Sequence, residues 1–154
     1  MDRKSSDYLL DFFKEKCREN NLKITPQRTV VYKEIFKSKD HPNADGVFRK
    51  VRKILPHISF DTVNRTLLSF SEIGILHIVE GYGEPKRFDP DLKEHHHFRC
   101  IKCNRIIDFY NRSYNHLKIP EDIKNQHIII NKRVVLDGIC DKCKKSRWHI
   151  FFPV

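Results

Sequence analysis

Three features of the sequence predict an α+β fold in two small halves. Four stretches of helical period occupy most of residues 5–73. Two short extended runs follow, joined by Gly81-Tyr82-Gly83-Glu84-Pro85. Beyond them, apolar runs suited to strands carry two Cys-x-x-Cys pairs. A chain of 154 residues can bury one ordinary core or two small ones, and this pattern change reads as two.

The first helix is expected over Ser5 to Asn20, where Leu9, Leu10, Phe12, Phe13 and Cys17 form one broad apolar stripe. Thr25-Pro26 supplies a capping hydroxyl followed by a first-turn proline, and Val30, Val31, Ile35 and Phe36 carry the second helix. His41-Pro42-Asn43 ends that element and caps the next. Residues 44–55 then turn Val47, Val51, Ile54 and Leu55 inward and Arg49, Lys50, Arg52 and Lys53 largely outward, until Pro56 stops the helix. From Ser59 to Ile73 the period returns with Val63, Leu67, Leu68 and Phe70, and Gly74 ends it. The extended runs Ile75 to Glu80 and Lys86 to Asp89 add the hairpin that makes these helices read as a winged helix-turn-helix, with the DNA-binding domain expected over residues 1–84 and a hinge, which takes in the second run, over 85–90. The helix from Ser59 would then be the one positioned to enter a DNA major groove. Periodicity alone suits equally a small helical domain whose polar face meets water.

In the second half, residues 91–154, the cysteines speak most clearly. Cys100-x-x-Cys103 and Cys140-x-x-Cys143 are separated by 36 residues and offer four sulfurs in two chelating turns, a structural zinc site. The competing reading is two disulfides or a redox pair. No secretory leader is expected, and Cys17 has no partner nearby in sequence, so a reducing, cytoplasmic setting is favoured.

His95, His96 and His97 read either as a solvated polar run or as ligands. In a strand His95 and His97 share one face. A two-residue hairpin at Cys100 and Cys103 would set Asp108 opposite His95 and Ile106 opposite His97, placing Asp108 on the histidine face and the sulfurs on the other. A mixed imidazole and carboxylate set suits exchangeable divalent iron, manganese or zinc. A helix is expected around Tyr114 to Lys124, started twice across Pro120, then a long strand from His127 to Leu136 and a final apolar run from Trp148 to Phe152. Strands this apolar on a small domain call for a twin, so a homodimer is expected.

With 39% hydrophobic and 32% charged residues, the composition excludes a disordered chain, and no run approaches a membrane span. The formal charge of +10 favours a polyanionic partner and divides equally on either side of Asp89. Zinc in a four-thiolate cage would shift the second half by about −2, leaving the first half the more basic.

Taken together, LKITPQR (22–28), HPNADGVFRKV (41–51), ISFDTVNRTL (58–67), RFD (87–89), HHHFRCIKC (95–103) and GICDKC (138–143) resemble the ferric uptake regulator family of metal-dependent bacterial repressors over nearly the whole chain. The resemblance implies a winged helix followed by an α/β dimerisation domain. It implies a regulatory iron or manganese held by His41, Asp89, His95, His97 and Asp108, and structural zinc held by Cys100, Cys103, Cys140 and Cys143. Aspartate at both 89 and 108 matches the peroxide-sensing branch, in which bound iron(II) reacts with peroxide and a ligand histidine, here His41 or His95, is oxidised. Lys23 matches a minor-groove lysine and Arg65 a recognition-helix arginine; Arg28, Ser59, Thr62 and Asn64 complete the expected DNA-binding set. Many relatives carry tyrosine where this chain has Asn64, so the thymine contact the resemblance implies there is absent, and asparagine suits adenine N6 and N7 instead. A further metal site found in some relatives maps onto Glu94, His96, Asn115 and Lys132, where a protonated lysine cannot be a ligand, so that site is expected to be missing or rebuilt.

The resulting reading is a homodimeric, DNA-binding, peroxide-sensing repressor and not an enzyme. The alternatives are an iron- or zinc-responsive uptake regulator of the same family, a zinc-stabilised module without DNA binding, and a metal-dependent hydrolase or oxygenase built on His95, His97 and Asp108.

Overall fold

The computed structural model describes residues 3–38, 40–79, 85–130 and 132–145. They divide into two compact units, 1–92 and 93–154. The stretch 85–90, expected as a hinge, contains a strand of the first unit, and the break falls between Leu92 and Lys93.

The first unit contains helices α1 (Arg3–Glu19), α2 (Pro26–Phe36), α3 (Ala44–Arg52) and α4 (Phe60–Glu72), then strands β1 (His77–Val79) and β2 (Arg87–Asp89). Three of the helices begin at side-chain caps, two of them, Thr25 and Asn43, expected from the sequence. Thr25 Oγ1 accepts from the Arg28 amide, Asn43 Oδ1 from Gly46 at 2.8 Å, and Ser59 Oγ from Thr62 at 3.1 Å. Pro26 sits in the first turn of α2, where its missing N–H leaves no bond unmade. Gly74 closes α4 with φ of +71°, a left-handed conformation that glycine adopts without a Cβ clash.

An aromatic group anchors the core. Phe13 of α1 stacks on Tyr32 of α2 with centroids 4.5 Å apart, and Phe70 of α4 meets Phe13 edge-on at 5.7 Å. The Tyr32 hydroxyl is buried but donates to the Leu9 carbonyl, so its burial leaves no unmet donor. Around these rings lie Cys17, Val31, Ile35, Val47, Val51, Val63 and Leu67, all fully buried. Ile54 departs from expectation: α3 ends at Arg52, three residues earlier than the apolar pattern suggests, and Ile54 is 51% exposed.

β1 and β2 pair antiparallel, with Ile78 opposite Phe88, and Phe88 plugs the core. The connection between them, 80–84, lies outside the described residues.

The second unit contains β3 (His96–Cys100), β4 (Ile106–Phe109), α5 (Arg112–Asn115), α6 (Glu121–Gln126), β5 (Val135–Gly138) and α7 (Asp141–Lys145). The sheet order is β4-β3-β5. β5 runs parallel to β3, which demands a crossover, and residues 110–134 with α5 and α6 provide it. The strand expected over 127–136 shrinks to four residues. Ile128 and Ile130 precede it, 92% and 95% exposed, because only Val135–Gly138 lie beside β3 and an extended run without a neighbour forms no ladder. The final apolar run, 148–152, lies outside the described residues.

The aromatic core sets an expected outcome. Phe70→Ala should cost about 3–5 kcal/mol through lost burial and a residual cavity. Urea denaturation of the full chain followed by circular dichroism should show the transition of the helical unit moving to lower urea.

Candidate metal centres and nucleic-acid interface

The β3–β4 hairpin is organised by alternation. His97 pairs with Asp108, Phe98 with Ile107 and Arg99 with Ile106. This corrects the expected register, in which Asp108 faced His95, by two residues. The cause is the chain reversal: Cys100 N donates to Arg105 O at 2.9 Å and Asn104 N to Cys100 O at 2.8 Å, with Asn104 left-handed at φ +55°. The turn thus spans Ile101 to Asn104 rather than two residues. A shift of two preserves the face of every side chain, so Asp108 still lies with the histidines.

His95 Nε2 and His97 Nε2 lie 2.9 Å apart, and Asp108 Oδ1 is 3.5 Å from the latter and 3.8 Å from the former. Two donors each about 2.1 Å from a shared ion at roughly right or tetrahedral angles lie about 3–3.4 Å apart, so these separations suit a common metal. His95 Nδ1 bonds the Lys93 carbonyl at 2.7 Å. A carbonyl only accepts, so Nδ1 carries the proton and the Nε2 lone pair is turned toward His97 and Asp108, the orienting device common at metal-bound imidazoles. Both histidines are buried.

The first unit builds its own pair of donors. Phe88 N donates to Pro42 O at 3.0 Å, Arg87 Nη1 to His41 O at 3.3 Å, and Asn43 bridges Arg87, so the 41–43 segment is laid along β2. Asp89 thereby comes within 3.7 Å of His41 Nε2, and both are buried. The Asp91 amide donates to Asp89 Oδ1 at 2.8 Å and fixes the carboxylate. His41 has φ of +45°, a left-handed conformation made costlier by the proline that follows.

The four cysteines of the two Cys-x-x-Cys pairs bring their sulfurs within 4.8 Å of one another. Cys103 Sγ and Cys140 Sγ are 3.7 Å apart, against a tetrahedral edge of about 3.8 Å for zinc–sulfur bonds of about 2.3 Å. No disulfide joins any of the five cysteines, all of which are among the described residues. Burial pushes the Cys100 thiol up, but hydrogen bonds from the amides of Cys140, Cys103 and Lys102 outweigh it and bring the thiol down to about 6. Hydrogen bonding with Cys103 and Cys140 pushes Cys143 up to about 12. The set therefore suits a soft, tetrahedral cation.

His96 faces away from His95 and His97 and is spent in a different network. Its Nδ1 accepts from Val134 N at 3.3 Å, which leaves Nε2 protonated and donating to Asn115 Oδ1 at 2.8 Å. Lys132 Nζ donates to the carbonyls of Asn115 and Leu117. An ammonium thus occupies this polar network.

On α4, the expected DNA-facing side chains are partly engaged with one another. Ser59 caps the helix and its hydroxyl contacts Thr62 Oγ1 at 2.8 Å, while exposed Arg65 pairs with Asp61 at 3.3 Å. Asn64 borders an open cavity of about 380 Å³ with Phe60, Leu68 and Phe88. Lys23 is exposed before α2, and its carbonyl accepts from Arg28 Nη1. Sequence reasoning missed the Arg105 to Asp141 ion pair, which joins residues beside the two cysteine turns. The only signal was a lone arginine two residues after Cys103.

A winged helix-turn-helix on one chain with a thiolate cage and buried imidazole–carboxylate donors defines a metal-binding winged-helix protein. The profile of the Ferric uptake regulator family matches residues 19–135, and the chain belongs to that family. It is 30% identical over 146 residues to the peroxide-responsive repressor PerR of Staphylococcus epidermidis, covering 92% of this chain and 95% of that protein. It is 31% identical over 131 residues to the PerR of Staphylococcus saprophyticus, covering 82% and 86%. Among solved structures, the Helicobacter pylori ferric uptake regulator Fur shares the fold at a TM-score of 0.76 and 22% identity, over 92% of this chain and 95% of that one. The Francisella tularensis regulator with iron matches at a TM-score of 0.67 and 26% identity, over 80% and 95%. No helix of the described residues is long and apolar enough to cross a membrane.

The thiol values set a proton count. The amides that lower the Cys100 thiol make it the readiest of the four to ionise, and the raised Cys143 thiol is the most reluctant. Zinc binding, which needs all four thiolates, should release fewer than four protons per ion and at least one. Titration calorimetry in two buffers of different ionisation enthalpy measures the number. Release of four would contradict a lowered Cys100 thiol.

Proposed function

We propose that this chain is a homodimeric, metal-dependent transcriptional repressor that binds an operator in double-stranded DNA and responds to hydrogen peroxide through iron. In this reading zinc occupies Cys100, Cys103, Cys140 and Cys143 and keeps the second unit folded. Iron(II) or manganese(II) is held by His41 and Asp89 from the first unit together with His95, His97 and Asp108 from the second. The chain would work in the cytoplasm.

The observation that carries the reading is the pair of incomplete donor sets. His41 and Asp89 are brought together by β2, and His95, His97 and Asp108 by the hairpin. Neither set alone fills the five or six positions common for such ions, whereas the two together do. An ion that must be gripped by both units ties the DNA-binding half to the dimer half and fixes the spacing of two recognition helices. Moving such a joint from about 1:99 to 99:1 requires about 5.5 kcal/mol of differential binding, within reach of multidentate coordination.

The donor chemistry and the relatives' names support peroxide as the signal. When bound, iron(II) would open the peroxide O–O bond; overall, one imidazole C–H and one hydrogen peroxide would give one oxygenated ring and one water, with peroxide as the two-electron oxidant. The chain's own part is to hold the ion with short aspartates and to present His95 and His41 as the imidazoles that take up oxygen. Once either is oxidised its nitrogen no longer serves as the same ligand, the units separate and the operator is released. Manganese(II) would support binding without this chemistry. The exposed apolar residues Ile128, Ile130, Val135 and Leu136 support a second copy as partner. For DNA, Lys23, Arg28, Ser59, Thr62, Asn64 and Arg65 form the proposed contact set.

Two measurements test this. Iron-loaded protein treated with a small excess of hydrogen peroxide should gain one oxygen on the peptide containing His41 or His95 and lose its mobility shift on the DNA upstream of its own coding region, while manganese-loaded protein keeps both intact. An unmodified peptide with intact metal-dependent binding would point instead to an iron- or zinc-responsive uptake regulator. Independently, Asn64→Ala should cost about 1–3 kcal/mol of operator affinity and relax preference at one base pair, whereas Lys23→Ala should weaken all sequences alike and reduce the salt slope by about 1. Competition binding with single-base operator variants reads both.

A further inference from the structure

The four sulfurs come from two turns far apart in sequence, so a bound ion is lost when one turn swings from the other. Each turn keeps two ligands and opens two positions to a competing chelator. What holds the turns together other than the ion therefore governs how long the ion stays. Arg105 lies two residues after Cys103, and its backbone carbonyl closes the first turn by accepting from Cys100 N at 2.9 Å. Asp141 lies inside the second pair, immediately after Cys140, at the start of α7. Arg105 Nη2 donates to Asp141 Oδ1, joining the two turns through side chains adjacent to three of the ligands.

Charge gives the contact a second role. Four thiolates around a divalent cation carry a net charge of −2, and such a dianion needs donors and cations around it. Backbone amides serve Cys100 and Cys140. The Arg105 guanidinium is within electrostatic reach of Cys103 and Cys140. Its Nε–H is buried and has no acceptor among the described residues. A buried donor without an acceptor is costly, and an ionised sulfur beside it supplies one.

We propose that Arg105, anchored by Asp141, is a positioning residue that straps the two cysteine turns together and neutralises part of the loaded cage, thereby setting the rate at which zinc leaves. This rests on the reading of the four cysteines as a zinc site.

The test is zinc release from the purified full-length protein in excess EDTA at pH 7.5, with zinc remaining in the protein read by elemental analysis after rapid desalting. Arg105→Ala should release zinc about tenfold faster than the parent, the lower end of what loss of a ligand's supporting partner produces. Asp141→Asn should be faster as well, and Arg105→Lys, which keeps the charge without the fork, should fall between. The parent's advantage should shrink at 0.5 M NaCl, as an electrostatic strap requires and a purely steric one does not. Arg99→Ala is the control: it breaks a comparable ion pair, Arg99 to Asp137 at 2.8 Å, on the other face of β3. It should leave the rate within about twofold of the parent, since Arg99 lies on the face of β3 opposite Cys100. Equal rates for parent and Arg105→Ala overturn the strap, as does equal acceleration by Arg99→Ala, which would signal general loosening. Should Arg105→Ala fail to load zinc, Arg105→Lys and Asp141→Asn carry the comparison. A parent chain that holds no zinc overturns the cage reading itself, and the strap with it.

Discussion

The two faces of β3 are the constraint on which the second unit depends. Successive side chains of a strand point to opposite sides, so a five-residue strand separates His97 from Phe98 and Cys100 without any further device. Soft sulfur donors gather at one end, and imidazole with carboxylate gathers on the face opposite His96. The two chemistries differ in what they hold and how firmly: thiolates close a tetrahedral cage, whereas nitrogen and oxygen donors exchange their ion. They are nevertheless built on one backbone. The bond from Cys100 N to Arg105 O closes the cysteine turn and, in doing so, fixes β4 so that Asp108 lands opposite His97. Loss of the cage would therefore loosen the register on which the histidine face depends.

This same parity explains what could be read from the sequence. Which residues share a face follows from counting by two, and it survived a register error because the error was itself an even number. The turn length did not follow, because it is set by Asn104 in a left-handed conformation and by the bond from its amide to the Cys100 carbonyl, neither of which the hydrophobic pattern encodes. The caps at Thr25 and Asn43 were legible because capping is local, a side chain bonding an amide three residues on. Proximity of His41 to Asp89, and of Arg105 to Asp141, was invisible to local rules. Those contacts arise from chain segments 48 and 36 residues apart, brought together by backbone pairing. The run 127–134 failed for a different reason: a short apolar run such as Ile128, Ile129 and Ile130 reads the same whether it pairs inside a sheet or lies at its margin.

In the first unit, α4 turns Val63, Thr66, Leu67 and Phe70 to the core and leaves its polar side chains for the surface. Several of these already have partners. Ser59 is committed to the cap, and its loss would fray the helix whatever else it touched. The pairing of Arg65 with Asp61 is a different matter, since both are largely exposed and an exposed ion pair contributes about 0–1 kcal/mol. Exchanging that carboxylate for a phosphate or a base edge would cost Arg65 little, so the pair orients the guanidinium along the helix without tying it down.

His41 shows where function and stability pull apart. A non-glycine residue in the left-handed region, immediately before a proline, costs about 1–3 kcal/mol, and the structure holds it there by laying its loop along β2. Relieving the strain would require residue 41 to leave the side of Asp89, because the conformation that aims the imidazole is the strained one. The strand contacts at Pro42, Asn43 and Arg87 hold the loop in place, and the Asn43 cap on α3 anchors it from the other side. His41 is thus set beside Asp89 within the first unit before any ion arrives. A divalent cation bound there would gain a ligand whose orientation the fold has already imposed, and little additional ordering would be charged against its binding. Because backbone contacts and not a ligand hold the strained residue, the aim of the imidazole is a property of the fold and would persist whether or not an ion is bound.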